Sequence, residues 1–386
     1  MQTFMGYERA DGTAGIRNLV AILPSVSCAN PVVEAIAREV PGVVPLLHGH
    51  GCGRGGCDLP GHSGTLQNIC KNPNLSAVLV VGLGCESLSA AGIETVTAVA
   101  NRRVERIMIQ EAGGSGKATA RGIEIARELL AVAATQQRTP QPIDKLIVGL
   151  ECGGSDAFSG ITANPGVGMA SDRLVKMGAS VILTETTEMI GTSHILAKRA
   201  VDEKVASQLV AMITNQEKKT QLVLGPMAKR VISPGNQDGG MSCIREKALG
   251  CICKAGSSPI NQVTAYGEIP SQKGLIVMDG PGYDTESMTG LAAAGAQIII
   301  FTTGRGNPIG FPFVPVIKVV STSKVYNHMK DDMDINAGTI LEGRGIESVG
   351  DEIMTLIEKV LTGEQTKAEL NRQNGILCLY TQTTAF

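Results

Sequence analysis

The sequence predicts an α/β protein with Rossmann-like or flavodoxin-like parallel sheets, helices on both faces of the sheets, and two α/β domains. Two observations lead to this prediction: short, β-rich apolar runs, and segments of helical periodicity between them. Nearly continuous apolar runs are typical of parallel strands that are buried on both faces. Because helical segments alternate with these runs, the order is βαβα, and the sheets should be mainly parallel.

The elements follow one another in this alternating order along the chain. Five strands are predicted first, at residues 18–24, 43–47, 77–82, 106–110 and 145–150. Helices are predicted at 31–39, 117–134, 171–176 and 194–217, and later strands at 179–184, 275–278, 297–301 and 316–320. We therefore expect an N-terminal α/β domain over residues 1–140, a continuation of the catalytic region over 141–225, and a C-terminal α/β domain over 226–386.

Composition excludes several classes of partner. The 386 residues carry a formal net charge of -2, and the basic residues are scattered, so no nucleic-acid surface is expected. We find no leader peptide and no apolar stretch long enough to cross a bilayer, which predicts a cytoplasmic protein with no membrane contact. The ten cysteines are then expected to be reduced thiols, some of them metal ligands.

Cysteines follow several of the predicted strands, where ligand sites of parallel sheets lie. Strands of what we take to be one sheet end at Cys28, Cys85 and Cys152, and another ends at His48, with Cys52 four residues later. Thiolate and imidazole ligands suit iron or zinc. The residues fit either a three-cysteine iron–sulfur cluster with one open iron or a mononuclear ferrous site that uses the histidine. For any single cysteine, tight packing is the favoured explanation, but for a set that falls repeatedly at strand ends we favour a metal site.

Acidic residues follow two further strands. Glu111 follows the fourth predicted strand, and a later segment carries Glu185, Glu188 and His194. Such a group can bind a divalent metal or transfer protons; alternatively, it is a helix N-terminus, where glutamate is favoured by the dipole. Cys243, Cys251 and Cys253 have the wrong spacing for a zinc knuckle, so we expect no metal role for them.

Polar residues in glycine-bearing loops are candidates for binding substrate. Arg305 and Lys318 could clamp a carboxylate or a sulfonate, although ordinary turn chemistry explains any single loop equally well. The other candidates in loops that follow strands are Asn30, Ser155, Asp156, Asn236 and Asn307.

The same loops resemble the altronate and galactarate dehydratase family. The family's opening motif, Gly-Tyr-x-Arg-x-Asp-Gly-x-x-Gly-x-Arg-Asn, occurs here at residues 6–18. Further matching segments are 48–52, 84–86, 149–156, 185–194, 233–236, 301–306 and 331–334. The resemblance implies an iron-dependent lyase that acts on a sugar acid or on sulfolactate. It also implies a separate small subunit, because the sequence starts at the catalytic motif, and we expect a homo-oligomer.

The resulting hypothesis is a hydro-lyase that dehydrates altronate or galactarate to a 2-keto-3-deoxy acid by metal-assisted elimination. Iron would be held by Cys28, Cys85 and Cys152, with Cys52 as a further candidate. His48 or His194 would be a ligand or proton carrier, and Glu111, Glu185 or Glu188 would be the base. The alternatives are the large subunit of a (2R)-sulfolactate sulfo-lyase, which releases sulfite and pyruvate, and a non-catalytic subunit that binds a metal or a sugar acid. A dinucleotide-dependent enzyme is disfavoured because no glycine fingerprint follows the first strand.

Overall fold

Strands and helices alternate along most of the chain, and the computed structural model describes residues 2–229 and 232–384. The strands, in chain order, are β1 (Thr3–Glu8), β2 (Ala14–Gly15), β3 (Leu19–Pro24), β4 (Val43–Pro45), β5 (Leu75–Gly82), β6 (Arg103–Met108), β7 (Thr139–Pro142), β8 (Ile147–Cys152), β9 (Ser180–Leu183), β10 (Ile260–Thr264), β11 (Leu275–Met278), β12 (Ile298–Thr303), β13 (Val316–Val320) and β14 (Ile335–Asn336). The helices are α1 (Asn30–Glu39), α2 (Asp58–Cys70), α3 (Ala90–Val99), α4 (Ser115–Thr135), α5 (Ala163–Met177), α6 (Ser193–Ala197), α7 (Glu203–Leu224), α8 (Pro234–Asp238), α9 (Ile244–Cys251), α10 (Asp284–Ala293), α11 (Ser323–His328), α12 (Ile346–Leu361) and α13 (Lys367–Leu370).

The strands form two parallel sheets and one small antiparallel sheet. The first parallel sheet has the order β4-β3-β5-β6, the flavodoxin-like arrangement in which the first strand of the sheet, β3, lies inside the second, β4. The second has seven strands in the order β10-β11-β9-β8-β12-β13-β14, all paired in parallel. A three-stranded antiparallel sheet, β2-β1-β7, brings the amino terminus against the segment that follows α4. The predicted fold class, α/β with parallel sheets, is confirmed.

The division of the chain between the sheets differs from our expectation. The seven-stranded sheet takes β8 and β9 from before residue 226 and β10 to β14 from after it, so the expected boundary at 226 falls within one sheet. The strand that ends at Cys152 also belongs to this sheet and not to the sheet of β3 and β5. The prediction that all three cysteine-terminated strands share one sheet is therefore wrong. The apolar pattern of a buried parallel strand does not encode which sheet the strand joins.

The helix predicted over residues 194–217 is interrupted. It is divided into α6 and α7 because Asp202 caps a new helix, with its side chain accepting a hydrogen bond of 2.8 Å from the Val205 backbone N–H. A side-chain oxygen at this position satisfies a backbone donor that the first turn leaves unpaired. None of the helices in the described ranges is long and apolar enough to span a membrane.

A shared core joins the two parallel sheets. Side chains of β5 alternate: Leu79 and Val81 pack beneath α1 and α4, whereas Val78 and Val80 face the second sheet. The core between the sheets also contains Phe301 of β12 and apolar residues of α2 and α10. Burying apolar surface from both sheets in one cluster holds their carboxyl edges in a fixed relation.

Two buried asparagines reinforce this junction. Asn72 donates to the carbonyl oxygens of Ala292 and Ala296, at 2.8 and 2.9 Å. Asn74 donates to those of Gln297 and Phe313, at 2.9 and 3.0 Å. Because each side-chain amide donates to carbonyl groups of segments that flank the second sheet, the loop before β5 is fixed against that sheet.

Candidate functional site

Four buried acidic side chains meet at the carboxyl edge of the second sheet. One ligand atom from each of Cys152, Glu185, Glu188 and Cys251 lies within 4.8 Å of the others. Among residues 2–229 and 232–384, this is the one group of three or more histidine, cysteine, aspartate or glutamate residues whose ligand atoms lie close enough to share a metal ion. We call these four residues the cysteine–glutamate cluster.

Neighbouring strands bring most of the cluster together. Cys152 is the last residue of β8, and Glu185 and Glu188 follow β9, which pairs with β8 in parallel. Cys251 ends α9. β8 is the first strand of this sheet in chain order, and later strands are added on both sides of it. Ligands of open parallel sheets bind at such a switch point in the strand order.

Glu185 has an unusual backbone conformation at this edge. Its φ of 71° is left-handed, a region that residues other than glycine seldom occupy. Its side chain turns back to the strand, where Oε2 accepts a hydrogen bond of 3.1 Å from the Cys152 backbone N–H. Backbone strain of this kind is found where the surrounding structure fixes a functional group.

The spacing of the donor atoms fits a small metal ion. The Sγ atoms of Cys152 and Cys251 are 3.8 Å apart. Two sulfurs bound to one tetrahedral ion at about 2.3 Å are separated by about the same distance. The Cys152 Sγ lies 3.7 Å from Glu185 Oε1 and 2.8 Å from Glu188 Oε2, so one oxygen of each carboxylate faces the thiols.

Two lysines bind the remaining carboxylate oxygens. Lys254 Nζ donates to Glu185 Oε2 at 2.6 Å, and both side chains are fully buried. Lys247 forms an ion pair with Glu188 Oε1. When both thiols are ionised, the two thiolates and two carboxylates carry four negative charges, and the two lysines carry two positive charges. The net charge of -2 is the charge that a divalent cation balances. The donor set therefore fits a divalent metal, with the lysines orienting its carboxylate ligands.

The cluster shifts the acidities of its own members. The contact with the Cys251 thiol lowers the pKa of Cys152 to about 7 against the opposing effect of burial, and it raises the pKa of Cys251. Burial raises the pKa of Glu185 well above its ordinary value. Burial also acts to raise the pKa of Glu188, but the ammonium groups of Lys247 and Lys254 outweigh it and hold that pKa low. A thiol with a lowered pKa is a better metal ligand, since the thiolate is the form that binds.

A cavity of about 530 Å³ opens onto the cluster, and Cys152 and Glu188 form part of its wall. Other wall residues are Asn236, Lys247, Tyr283 and Asp284. A larger cavity, of about 860 Å³, lies along α7 and β10 and contains no residue of the cluster. The smaller cavity is the candidate active site because it alone of these two reaches the metal-binding side chains.

Some predicted substrate-binding residues hold the loops around this cavity. Asn236 forms a capping box with Ser233, the N-cap residue of α8. Its side chain also donates a hydrogen bond of 2.8 Å to the Ser155 carbonyl oxygen. Asp156 accepts from Ser159 and, at 2.9 Å, from Ser321. These polar groups are largely occupied by protein partners.

Two further candidates, Arg305 and Asn307, lie in the loop after β12, and a third, Lys318, lies in β13. Arg305 is exposed and lies beside Gly154 and Gly235. Asn307 donates to Asp284 Oδ2 at 2.8 Å. Lys318 does not reach the cavity: its ammonium group is buried, donates to the carbonyl oxygens of Asn307 and Ile309, and lies 4.2 Å from the centre of the Phe301 ring. Burial lowers the pKa of Lys318 to about 7. Instead of clamping a substrate, Lys318 holds this loop in place.

The remaining predicted ligands and bases lie outside the cluster. Cys28, Cys52 and Cys85 are exposed around the carboxyl edge of the first sheet, where Ser87 N donates to Gly51 O and joins two of their loops. They do not join Cys152, because that residue ends a strand of the other sheet. Glu111 and His194 are exposed on loop and helix surfaces, and Asn30 donates to the His48 carbonyl oxygen at 3.0 Å.

His48 is buried beneath the first sheet's loops and makes structural hydrogen bonds. Its Nε2 lies 2.7 Å from the Pro24 carbonyl oxygen, and its Nδ1 accepts from the His50 backbone N–H at 3.1 Å. This pattern requires a neutral ring with the proton on Nε2. Burial lowers the pKa of His48 to about 4.

We expect His48 to make the stability of the protein depend on pH. Between its ordinary pKa of 6.5 and its folded value of about 4, the unfolded chain binds a proton that the folded protein does not. Stability therefore falls as the pH is lowered through this window, by about 3 kcal/mol when fully developed. His48→Gln should flatten this slope in urea unfolding between pH 4.5 and 7, whereas the exposed His328→Gln should not. Equal slopes in wild type and His48→Gln would contradict the assignment.

Sequence reasoning missed three members of this site. Cys251 was set aside because its spacing from neighbouring cysteines matches no zinc motif, yet its partner Cys152 is distant in sequence. Lys247 and Lys254 are not among the candidates predicted from the sequence. Lys247, Cys251 and Lys254 are separated by four and three residues, a spacing that places side chains on one face of a helix. That periodicity was the available signal.

The fold and the cluster together define a class: α/β proteins with a candidate metal centre at the carboxyl ends of parallel strands. Within that class, the chain belongs to the D-galactarate/altronate dehydratase family. The family model for the C-terminal region, "D-galactarate/Altronate dehydratase, C-terminal", matches residues 143–384. The model "D-galactarate dehydratase/Altronate hydrolase, second domain" matches residues 6–134. The family resemblance predicted from the motifs is confirmed.

Relatives with named activities support the same assignment. The altronate dehydratase of Bacillus subtilis is 38% identical over 88% of this chain and 70% of its own length. The galactarate dehydratase (L-threo-forming) of Escherichia coli is 38% identical over 94% of this chain and 73% of its own length. The (2R)-sulfolactate sulfo-lyase subunit beta of Chromohalobacter salexigens is 33% identical over 95% of both chains. All three are lyases, so the predicted enzyme class is confirmed.

Proposed function

We propose that this chain is the metal-carrying part of a hydro-lyase that dehydrates a sugar acid such as altronate or galactarate to a 2-keto-3-deoxy acid. The observation that carries the proposal is the cavity whose wall holds Cys152 and Glu188 of the cysteine–glutamate cluster. A site for elimination needs a group that stabilises charge on the substrate carboxylate, beside space for the rest of the acid. The cluster and the cavity supply both.

Iron is the metal we propose for the cluster. Thiolates and carboxylates together suit iron or zinc, and two thiolates favour a single ion over a three-cysteine iron–sulfur cluster. When bound, iron supplies a Lewis acid that polarises the substrate's carboxylate and hydroxyl oxygens. Lys247 and Lys254 hold one oxygen of each carboxylate ligand and so keep the other oxygens turned toward the thiols.

Arg305 is our candidate for the substrate carboxylate. Its Cβ lies beside Gly154 and its guanidinium end lies beside Gly235, and it forms no ion pair with an acidic residue in the described part of the chain. A planar guanidinium can bind a carboxylate through two parallel hydrogen bonds. Gly154 forms part of the cavity wall, so the Arg305 side chain starts next to the cavity.

The alternative substrate is (2R)-sulfolactate, with release of sulfite and pyruvate. The observation in its favour is the sulfo-lyase subunit beta, which matches this chain over 95% of each length. That relative is named as one subunit of an enzyme, which supports our proposal of a separate small subunit for this chain.

All ten cysteines are free thiols in the structure, which supports a cytoplasmic location.

The test is an anaerobic assay of the tagged protein purified from the organism that encodes it, so that any bound subunit is retained. After loading with Fe²⁺, the protein is incubated separately with D-altronate, D-galactarate and (2R)-sulfolactate. We expect a 2-keto-3-deoxy acid, detected as its semicarbazone, from at least one sugar acid, and none from a Cys152→Ser variant. Sulfite release from sulfolactate alone would establish the alternative. No product from any of the three acids would leave the non-catalytic binding subunit as the better description.

A further inference from the structure

Asp284 is a carboxyl group in the cavity wall that does not belong to the cysteine–glutamate cluster. It is the first residue of α10, ten residues long. Its side chain lies against the backbone beside Cys152, because any side chain at Gly153 would collide with the Asp284 Oδ2 atom. Asp284 therefore faces the same space as the candidate metal ligands without being one of them.

The protein holds this carboxyl group through a neutral donor. Asn307 Nδ2 donates to Asp284 Oδ2 at 2.8 Å, and Lys318 in turn donates to the Asn307 carbonyl oxygen at 2.9 Å. No lysine or arginine of residues 2–229 and 232–384 forms an ion pair with Asp284. By contrast, both carboxylates of the cluster are bound by ammonium groups. Asp284 is thus oriented but not neutralised by a cation.

The surroundings of Asp284 raise its pKa on balance. Burial raises the pKa of Asp284, and the nearby Glu188 carboxylate raises it further. Its own backbone N–H, Lys247 and Lys318 lower this pKa by smaller amounts. A raised pKa favours the protonated form, which is the form that a general acid needs.

We propose that Asp284 is the general acid that protonates the departing hydroxyl group in the dehydration. This inference rests on the proposed hydro-lyase function. A base removes the proton from C2, the C2–H electron pair forms the C2–C3 double bond, and the C3–O bond breaks with its electron pair passing to oxygen. Asp284 gives that oxygen its proton, and water leaves. The resulting enol takes a proton at C3 and releases its C2 hydroxyl proton to give the 2-keto-3-deoxy acid. The base then releases the C2 proton to solvent, and the Asp284 carboxylate regains a proton from solvent.

The leaving group decides whether an acid is needed. Hydroxide is a strongly basic leaving group and departs readily only when it is protonated. Sulfite and fluoride are far weaker bases and depart as anions. A general acid at Asp284 therefore serves a hydro-lyase and adds little for a sulfo-lyase, so the residue also separates the two candidate substrate classes.

The test compares leaving groups in Asp284→Asn and wild type. The substrates are the sugar acid that wild type dehydrates, D-altronate or D-galactarate, and its 3-deoxy-3-fluoro analogue. We expect Asp284→Asn to lower kcat for the hydroxy acid by about 10²- to 10⁴-fold, the usual contribution of a positioned acid. The loss for the fluoro analogue should be less than about tenfold, because no protonation is required. Asp284→Glu, which keeps the acid, should recover part of the lost kcat.

Two controls keep these outcomes interpretable. Glu286→Gln changes another carboxyl group in the same first turn of α10, outside the cavity wall, and should leave both rates unchanged. Urea unfolding should give Asp284→Asn a midpoint close to that of wild type.

Equal losses on both substrates, or full activity of Asp284→Asn on the hydroxy acid, would overturn the role of Asp284 and leave the hydro-lyase function standing. Wild type that releases sulfite from (2R)-sulfolactate but dehydrates neither sugar acid would overturn the proposed function and the inference together.

Discussion

Cys251→Ser is expected to remove the metal from the cysteine–glutamate cluster, whereas Cys253→Ser should leave it bound. Cys251 Sγ lies 3.8 Å from Cys152 Sγ and is buried with the two glutamates. Cys253, two residues later, instead directs its thiol to the Leu249 carbonyl oxygen, at 3.3 Å. A hydroxyl group is a poor substitute for a thiolate ligand. Replacing a residue that only hydrogen-bonds to a metal ligand typically lowers the metal affinity by about 10- to 100-fold. Replacing the ligand itself should therefore lower the affinity by more than about 100-fold.

Metal content and affinity measure this effect directly. Both variants and wild type are purified anaerobically, stripped with a chelator and titrated with Fe²⁺, and bound iron is quantified by mass spectrometry. Iron retained in Cys251→Ser at the wild-type level would exclude the cluster as the metal site. Loss of iron in triple replacement of Cys28, Cys52 and Cys85, with retention in Cys251→Ser, would instead favour the exposed cysteines of the first sheet.

Lys254→Met should destabilise the metal-free protein by about 3 to 5 kcal/mol. The ammonium group of Lys254 and the Glu185 carboxylate are 2.6 Å apart and fully buried. Removing the lysine leaves a carboxyl group without its counter-charge inside the protein, and the group must then either stay charged at high cost or take up a proton. Methionine matches the length of the lysine stem, so the packing change is small.

Urea unfolding of the chelator-treated protein measures the loss. Arg121→Ala provides a matched control, because its ion pair with Glu124 is largely exposed and its loss should change the stability little. In the double variant Lys254→Met/Glu185→Gln, the buried charge is absent, and we expect much of the stability to return. A loss below about 1 kcal/mol in Lys254→Met would show that the buried pair adds little to the folded state.

Much of the site chemistry was readable from the sequence. Cys152, Glu185 and Glu188 were identified as candidates because each follows an apolar strand, and parallel strands present their carboxyl ends at one edge. The family motifs then indicated a lyase. What could not be read was the partner across the cluster: Cys251 lies on a helix about a hundred residues from Cys152, and no local spacing relates the two.

By itself, the sequence determined the α/β class, the position of most strands, the family and the strand-end candidates, because these depend on local periodicity and short motifs. The tertiary structure decided which strands share a sheet. It thereby separated Cys28 and Cys85 from Cys152, and it placed Lys318 inside the protein. These outcomes depend on which buried strands pair, and burial on both faces gives every parallel strand the same apolar pattern. The pairing of Glu185 with Lys254 was likewise fixed only by packing, since two distant charges meet only when the chain between them has folded.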